Sequence, residues 1–375
     1  MNNRVLLATV FTGYNYGSSL QAFAGKTVIR KMGYDCMLVA RRSLVKGRNV
    51  HVGKLLVMLY RTVKLRGESN SLSTFQKQYA RTMIGNSAEC FDSFIAENIS
   101  PHYFSWRKLR TMASECLACF AGSDQIWNSS SLYVDPLYYL RFAPASKRVA
   151  FAPSFGRSFI PDYNVAKMSE WIRSFACLSA REDSGVKLIK EYTGRDAVQL
   201  IDPTLMLSRE EWADALRLKT VNKKYILAYF LDEPSPKAQE LMRQLSVRLN
   251  CKVVALPYAF SDMSYSDEVV AAGPKEFLEL IKSAVAVCTD SFHGTAFSIN
   301  FHTSFYVFER NYGSAQKQSS RIVSLLTQMN MLHRYEASEV EDNWNIDFSF
   351  SDIVLKQERT KAEQYIVNSI SHCAG

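Results

Sequence analysis

The stretch Ala284-Val285-Ala286-Val287-Cys288-Thr289-Asp290-Ser291-Phe292-His293-Gly294-Thr295 decides how this chain is read. Its first four residues are apolar and two are β-branched, which predicts a buried strand. Thr295-Ala296-Phe297-Ser298-Ile299 then reads as the first turn of a helix. The turn between them lies at the strand's carboxyl end, and in open α/β sheets ligands bind in the crevice beyond those ends. A helix N-terminus offers unpaired N–H groups and the positive end of a dipole to an anion. The turn also carries a carboxylate (Asp290), a hydroxyl (Ser291) and an imidazole (His293), so an anion-facing backbone is combined with groups able to move protons.

The same alternation recurs along the chain. Val5-Leu-Leu-Ala-Thr-Val-Phe reads as a strand, residues 12–19 as a Gly/Asn-rich turn, residues 20–32 as a helix and Asp35-Cys-Met-Leu-Val-Ala as a second, parallel strand. The turn lacks G-x-G-x-x-G spacing, so dinucleotide binding is not supported. Residues 41–100 break the rhythm. Val52, Leu55, Leu56, Leu59 and Val63 share one helical face, and residues 75–98 read as further helix interrupted near Gly85. Strand-to-turn junctions return at Gly122-Ser123-Asp124, Pro153-Ser-Phe-Gly156, Arg181-Glu182 and Asp202-Pro203-Thr204. A charged, turn-rich region near 208–223 reads as a domain boundary, followed by a second α/β series. The expected organisation is an N-terminal α/β domain over 1–207 with a helical insertion at about 41–100, a C-terminal α/β domain over 208–352, and a final helix over 353–375 packing back on the first domain.

At 375 residues the chain suits two cores rather than one. Its net charge of +9 is concentrated: Arg41, Arg42, Lys46, Arg48, Lys54, Arg61, Lys64 and Arg66 supply +8 with no Asp or Glu among them, which leaves the remainder near neutral (9 − 8 = 1). Nucleic acid is therefore not an expected partner, because such binders spread a basic stripe over the fold. An amphipathic helix rich in Lys and Arg suits an anionic membrane surface, so peripheral membrane contact is expected from Lys46 to Arg66; a solvated domain face is the alternative. Of eight cysteines, Cys36, Cys119, Cys177, Cys251 and Cys288 lie in apolar strand-like runs, the pattern of free buried thiols in a reducing compartment. Cys116-Leu-Ala-Cys119 has C-x-x-C spacing, but in a strand such a pair points to opposite faces and no second pair follows, so zinc and dithiol chemistry are not expected. There is no signal peptide pattern and no apolar run approaching the ~18 residues of a span, so the expected location is the cytoplasm, with the inner face of the plasma membrane as a peripheral site.

Several motifs together resemble the polysaccharide pyruvyl transferase family. They are Asn15-Tyr16-Gly17 with Leu20-Gln21-Ala22, Gly122-Ser-Asp-Gln-Ile-Trp-Asn128, Ser154-Phe-Gly156, Arg181-Glu182, Asp202-Pro203-Thr204, Gly273-Pro-Lys-Glu-Phe-Leu278, Thr289-Asp-Ser-Phe-His-Gly294 and Ser320-Arg321-Ile322, in order over about residues 5–326. The resemblance implies two Rossmann-like domains facing a central cleft, similar to B-type glycosyltransferases. It also implies transfer of the enolpyruvyl group of phosphoenolpyruvate to a hydroxyl pair of a surface-polysaccharide sugar, as a ketal. The partners are then phosphoenolpyruvate and a saccharide or lipid-linked saccharide acceptor, with no cofactor and no metal. A nucleotide-sugar-dependent glycosyltransferase of the same fold and a non-catalytic scaffold are the competing readings.

In relatives Arg and His grip the donor's anionic groups, and the matching residues here are Arg181 and His293. Where some relatives carry Arg two residues before the histidine, this chain has Ser291; Arg321 or a lysine can replace that charge. Ketal formation needs C3 of the enol protonated and the attacking hydroxyls deprotonated. His293 is the expected acid/base, Asp290 orients it or acts as base, and Asp124 holds sugar hydroxyls or serves as a second base. Ser123, Ser291, Gly294, Asn15 and Gly17 are expected to face substrate. Trp127 either stacks on a sugar or fills the core. The plain alternatives are a helix N-cap for Asp124, a salt bridge for Arg181, a loop cap for Asp202 and a solvated position for Glu182.

Overall fold

The computed structural model describes residues 3–45, 48–64, 84–257, 263–310 and 320–374. The chain divides into two units. The first comprises Met1–Gln76, Ile95–Met206 and Glu358–Gly375; the second comprises Lys77–Phe94 and Leu207–Gln357. The 41–100 insertion is thus split, because Lys77–Phe94 groups with the second unit rather than the first.

The first unit is built on a parallel sheet of β1 (Arg4–Ala8), β2 (Asp35–Ala40), β3 (His102–Tyr103), β4 (Ala118–Ala121) and β5 (Arg148–Ala150) in the order β3-β2-β1-β4-β5. β6 (Ser179–Ala180) and β7 (Val198–Gln199) pair beyond β5. β4 is buried at every position, as a parallel strand covered on both faces must be. Leu6, Val39, Tyr139, Phe155 and Phe175 contribute to the core beside it.

The second unit repeats the topology. β8 (Tyr225–Tyr229), β9 (Lys252–Ala255), β10 (Glu268–Val269), β11 (Ala286–Thr289) and β12 (Ser304–Val307) form a parallel sheet in the order β10-β9-β8-β11-β12. Numbered within its own unit, each sheet runs 3-2-1-4-5. Both are doubly wound, Rossmann-like sheets, so the α/β fold class expected from sequence is the one observed. In such sheets the strand order reverses beside the first strand, and the crevice there, at the carboxyl ends, is the place for ligands. In the first unit it lies between the ends of β1 and β4, and in the second between β8 and β11.

Two boundaries differ from the sequence reading. The helix after β11 is Phe292–Phe301, so His293 and Gly294 lie inside its first turn instead of in a preceding loop. The stretch read as helix over 75–98 holds the helix Ser87–Phe94 and runs into a π-helical turn, Ile95–Ile99; residues 75–83 lie outside the described residues.

Candidate functional site

At the first reversal point the helix Tyr16–Lys31 starts just beyond β1, with the Asn15 side chain accepting from the Ser18 N–H at 3.0 Å. Opposite, Gly122 follows β4 so closely packed that a Cβ there would lie 2.6 Å from the Thr9 Cβ. Asp124 comes next, with φ 64° and ψ −172°, a backbone conformation that costs a non-glycine residue roughly 1–3 kcal/mol. Its side chain does not cap the short helix after it. Instead Oδ2 accepts from the Ser18 hydroxyl at 2.6 Å. The carboxylate retains 13% exposure, while the groups behind it are closed off.

Those groups form a dense charged web. Arg181 Nη1 bonds Asp202 Oδ2 at 2.6 Å, and Asp124 Oδ1 and Glu182 Oε2 lie 4.0 and 3.7 Å from the same guanidinium. Asp202 also accepts from the Ser123 hydroxyl and from the Thr204 N–H and hydroxyl. Glu182 accepts from the Ser154 hydroxyl and the Phe155 N–H, both at 2.9 Å. Burial opposes the charge on Arg181, but Asp202, Glu182 and Asp124 outweigh it and hold its pKa above the ordinary value. One guanidinium among three carboxylates leaves the cluster negative. It suits a hydroxyl that must lose a proton better than it suits an anion.

The second reversal point has a different character. The Thr289 hydroxyl donates to the Tyr229 carbonyl at 2.6 Å and accepts from the Ser291 N–H, tying the end of β11 to β8. Ser291 caps the helix, accepting from the Gly294 N–H at 3.3 Å. His293 sits in the first turn, buried, with its ring edge-on to Phe292 at 5.3 Å. Asp290 accepts from the Leu231 N–H at 2.6 Å and the Asp232 N–H at 3.0 Å, and Arg310 Nε lies 3.6 Å from it. Burial pushes the Asp290 carboxyl up to about 6 against the pull of Arg310 and the two N–H groups. Arg321 is buried near the start of the helix Ser320–Gln328, which packs against Phe292–Phe301. Arg310 is shared between Asp290 and Asp232, whose Oδ2 lies 3.9 Å from its Nε, so the helix N-terminus is what favours an anion here.

These placements correct several expectations. Trp127 is wholly buried, its ring packed by Tyr139, Phe155 and Phe175 and its N–H bonded to the Tyr138 carbonyl; no face is left for a sugar. Ser123 is fully buried and holds Asp202 rather than a ligand. Arg181 is no open anion site, since its charge is already neutralised in the interior. Asp290 does not orient His293: its bonds run to the loop after β8 and to Arg310. Glu182 is buried rather than solvated, and Asp202 is the main anchor of Arg181 rather than a loop cap alone. Cys116 and Cys119 do not point apart, because Cys116 ends the helix Trp106–Glu115 and the chain turns before β4, bringing the two sulfurs to 3.5 Å. Arg310 was missed by the sequence reading; its one available signal was a cation three residues past the end of a strand beside β11. Asn15 and Gly17 do stand at the helix start beyond β1, where the Asn15 side chain acts as a cap, and Gly294 lies where a Cβ would meet the Thr289 hydroxyl at 2.6 Å.

Among solved structures, the glycosyltransferase SnogD from Streptomyces nogalater is similar at a TM-score of 0.39 and 11% identity, covering 99% of this chain and 97% of its own. A putative UDP-N-acetylglucosamine 2-epimerase from Listeria monocytogenes is similar at 0.47 and 8%, covering 97% and 91%. The UDP-GlcNAc 2-epimerase from Neisseria meningitidis, solved bound to UDP-GlcNAc, is similar at 0.46 and 9%, covering 98% and 99%. No curated protein matches this sequence. The family model described as polysaccharide pyruvyl transferase matches residues 15–312, a span that takes in β2 to β12. The chain is a transferase and belongs to the polysaccharide pyruvyl transferase family.

Proposed function

We propose that the protein transfers the enolpyruvyl unit of phosphoenolpyruvate to a pair of hydroxyls on a saccharide, free or lipid-linked, forming a pyruvate ketal during exopolysaccharide assembly. The observation that carries this reading beyond the family is the opposite chemistry of the two reversal points. The Asp124 cluster is negative and partly open, suited to accept a proton from an attacking hydroxyl. The start of the helix Phe292–Phe301, with His293, Arg310 and Arg321 in its unit, is suited to a substrate bearing a carboxylate and a phosphate.

In the proposed reaction one acceptor oxygen attacks C2 and gives up its proton, and C3 takes a proton; Asp124 is the first unit's candidate base and His293 the second unit's candidate acid. The C2–O bond to phosphate breaks, phosphate leaves, and the second hydroxyl closes the ketal at C2. One substrate proton ends on C3 and one on phosphate, so atoms and charge balance without a redox partner or a metal. Arg181 and Asp202 act by positioning Asp124. The same proposal places the protein in the cytoplasm with peripheral contact at the inner face of the plasma membrane; among the described residues no helix is long and apolar enough to cross a membrane.

Phosphate release from phosphoenolpyruvate in the presence of candidate saccharides tests the reading. His293→Ala and Asp124→Asn should each abolish that release while the protein stays folded. Turnover of a nucleotide sugar with none of phosphoenolpyruvate would overturn it in favour of glycosyl transfer.

A further inference from the structure

The helix Val52–Lys64 packs the wrong way round for an ordinary surface helix, and no residue of it is buried. Lys54, Met58, Arg61 and Thr62 recur at helical spacing on the half-buried face turned to the first unit. Lys54 Nζ donates to the Asn49 carbonyl at 2.8 Å. Arg61 Nη1 donates to the buried Asn164 at 2.6 Å, and the guanidinium stands over the Tyr163 ring. The opposite face is apolar and open: Val52, Leu55, Leu56, Leu59, Tyr60 and Val63 form a continuous stripe, with Leu56 62% and Leu59 66% exposed. Leu44 and Val45 are exposed beside its start, where the Leu44 N–H bonds the Val50 carbonyl. A contiguous apolar surface of this kind marks an interaction site.

We infer that this face docks on an anionic lipid bilayer by inserting its apolar stripe. That gives the proposed membrane contact a surface and an orientation, and it does not depend on the pyruvyl chemistry. Charge selects the occupant. Arg42 and Lys64 are exposed at the two ends of the stripe, and the sequence from Arg41 to Arg66 has no carboxylate at all. A second copy on this face would oppose like charges, whereas anionic headgroups complement them. Because Lys54 and Arg61 are spent inside the protein, insertion of leucine dominates and the attraction of the rim cations is secondary. The sequence expectation of membrane contact from Lys46 to Arg66 is thereby given an apolar inserting face. Lys46 and Arg66, the limits of that expectation, lie outside the described residues.

The test is sedimentation of the full chain with phosphatidylcholine vesicles, with and without phosphatidylglycerol. The protein should partition onto the vesicles containing phosphatidylglycerol. Leu56→Glu with Leu59→Glu should weaken that partition about a hundredfold, roughly tenfold per leucine, with unchanged thermal unfolding and unchanged phosphate release toward a soluble acceptor. Lys64→Glu should weaken it by a smaller factor, roughly tenfold, relieved as salt is raised. Failure of the unaltered protein to sediment with anionic vesicles, or equal binding by the double variant, overturns the inference. So does a concentration-dependent dimer that the double variant dissolves, which would assign the face to a second copy. Because vesicle binding and phosphate release are read separately, loss of one leaves the other standing.

Discussion

The two units share a strand order and even a packing device, yet their reversal points carry opposite chemistry. In each, an aspartate follows the fourth strand of the sheet, Asp124 after β4 and Asp290 after β11. In each, a glycine nearby allows close approach to a threonine, with Gly122 against Thr9 and Gly294 against Thr289. The difference lies in what holds the carboxylate. Asp124 is held in a strained backbone conformation and tied to Ser18 beyond β1 and Arg181 beyond β6, with Arg181 almost encircled by acid. Asp290 is held by backbone N–H groups from the loop after β8 and by one arginine, beside a regularly capped helix. The scaffold repeats, and the side chains arriving from neighbouring strands decide whether its crevice invites a proton or an anion.

The comparison breaks first at Arg181. Arg181→Ala leaves Asp202 and Glu182 buried without their cation and should cost about 3–5 kcal/mol in urea unfolding. A loss below ~1 kcal/mol would show that the web is not the support described. Asp124→Asn keeps an acceptor for the Ser18 hydroxyl and should leave stability within about 1 kcal/mol while phosphate release falls about 10²–10⁴-fold. Wild-type turnover in that variant would remove Asp124 from the reaction.

In the second unit Gly294→Ala drives a Cβ to 2.6 Å from the Thr289 hydroxyl. It should destabilise by about 1–3 kcal/mol and displace His293, with Gly122→Ala producing a comparable loss in the first unit. Unfolding midpoints that separate the two glycines widely would end the parallel. The last effect is a pH dependence. The Asp290 carboxyl is raised to about 6, so the native state holds its proton where the unfolded chain has released it. Its contribution is complete below roughly pH 4 and is lost as pH rises through about 6, on the order of 3 kcal/mol. Asp290→Asn should flatten stability across that window in denaturant titrations at stepped pH; an unchanged slope would locate the titration elsewhere.

Much of the scaffold was legible because local signals agree with each other. The helix Pro236–Leu249 begins at a Ser235 cap with proline at its first position and ends at Asn250 in the left-handed region. The apolar runs of β1, β4, β8 and β11 announce strands covered on both faces. The turn at Asp290 to Gly294 was found for the same reason, though its helix starts three residues earlier than the apolar pattern suggested. What stayed hidden depends on distant partners. Glu182 is internal because Ser154 and Phe155, on another strand's loop, supply its donors. Arg310 matters because β12 lies beside β11, a fact no spacing records. The thiols of Cys116 and Cys119 meet because a helix ends at Cys116 and the chain turns before β4, which a strand pattern assigned to both had concealed.

The last helix, Ser349–Ala374, has a consequence for the order in which the protein matures. Its residues from Glu358 onward belong to the first unit, where Ala362, Ile366 and Ile370 are buried and the Tyr365 hydroxyl donates to the Ala150 carbonyl at the end of β5. On a ribosome these residues emerge after the whole of the second unit. Domains made first usually finish folding first; here the unit begun first is completed last. A nascent chain therefore leaves the first core uncovered beside β5 until residues 358–374 have been made.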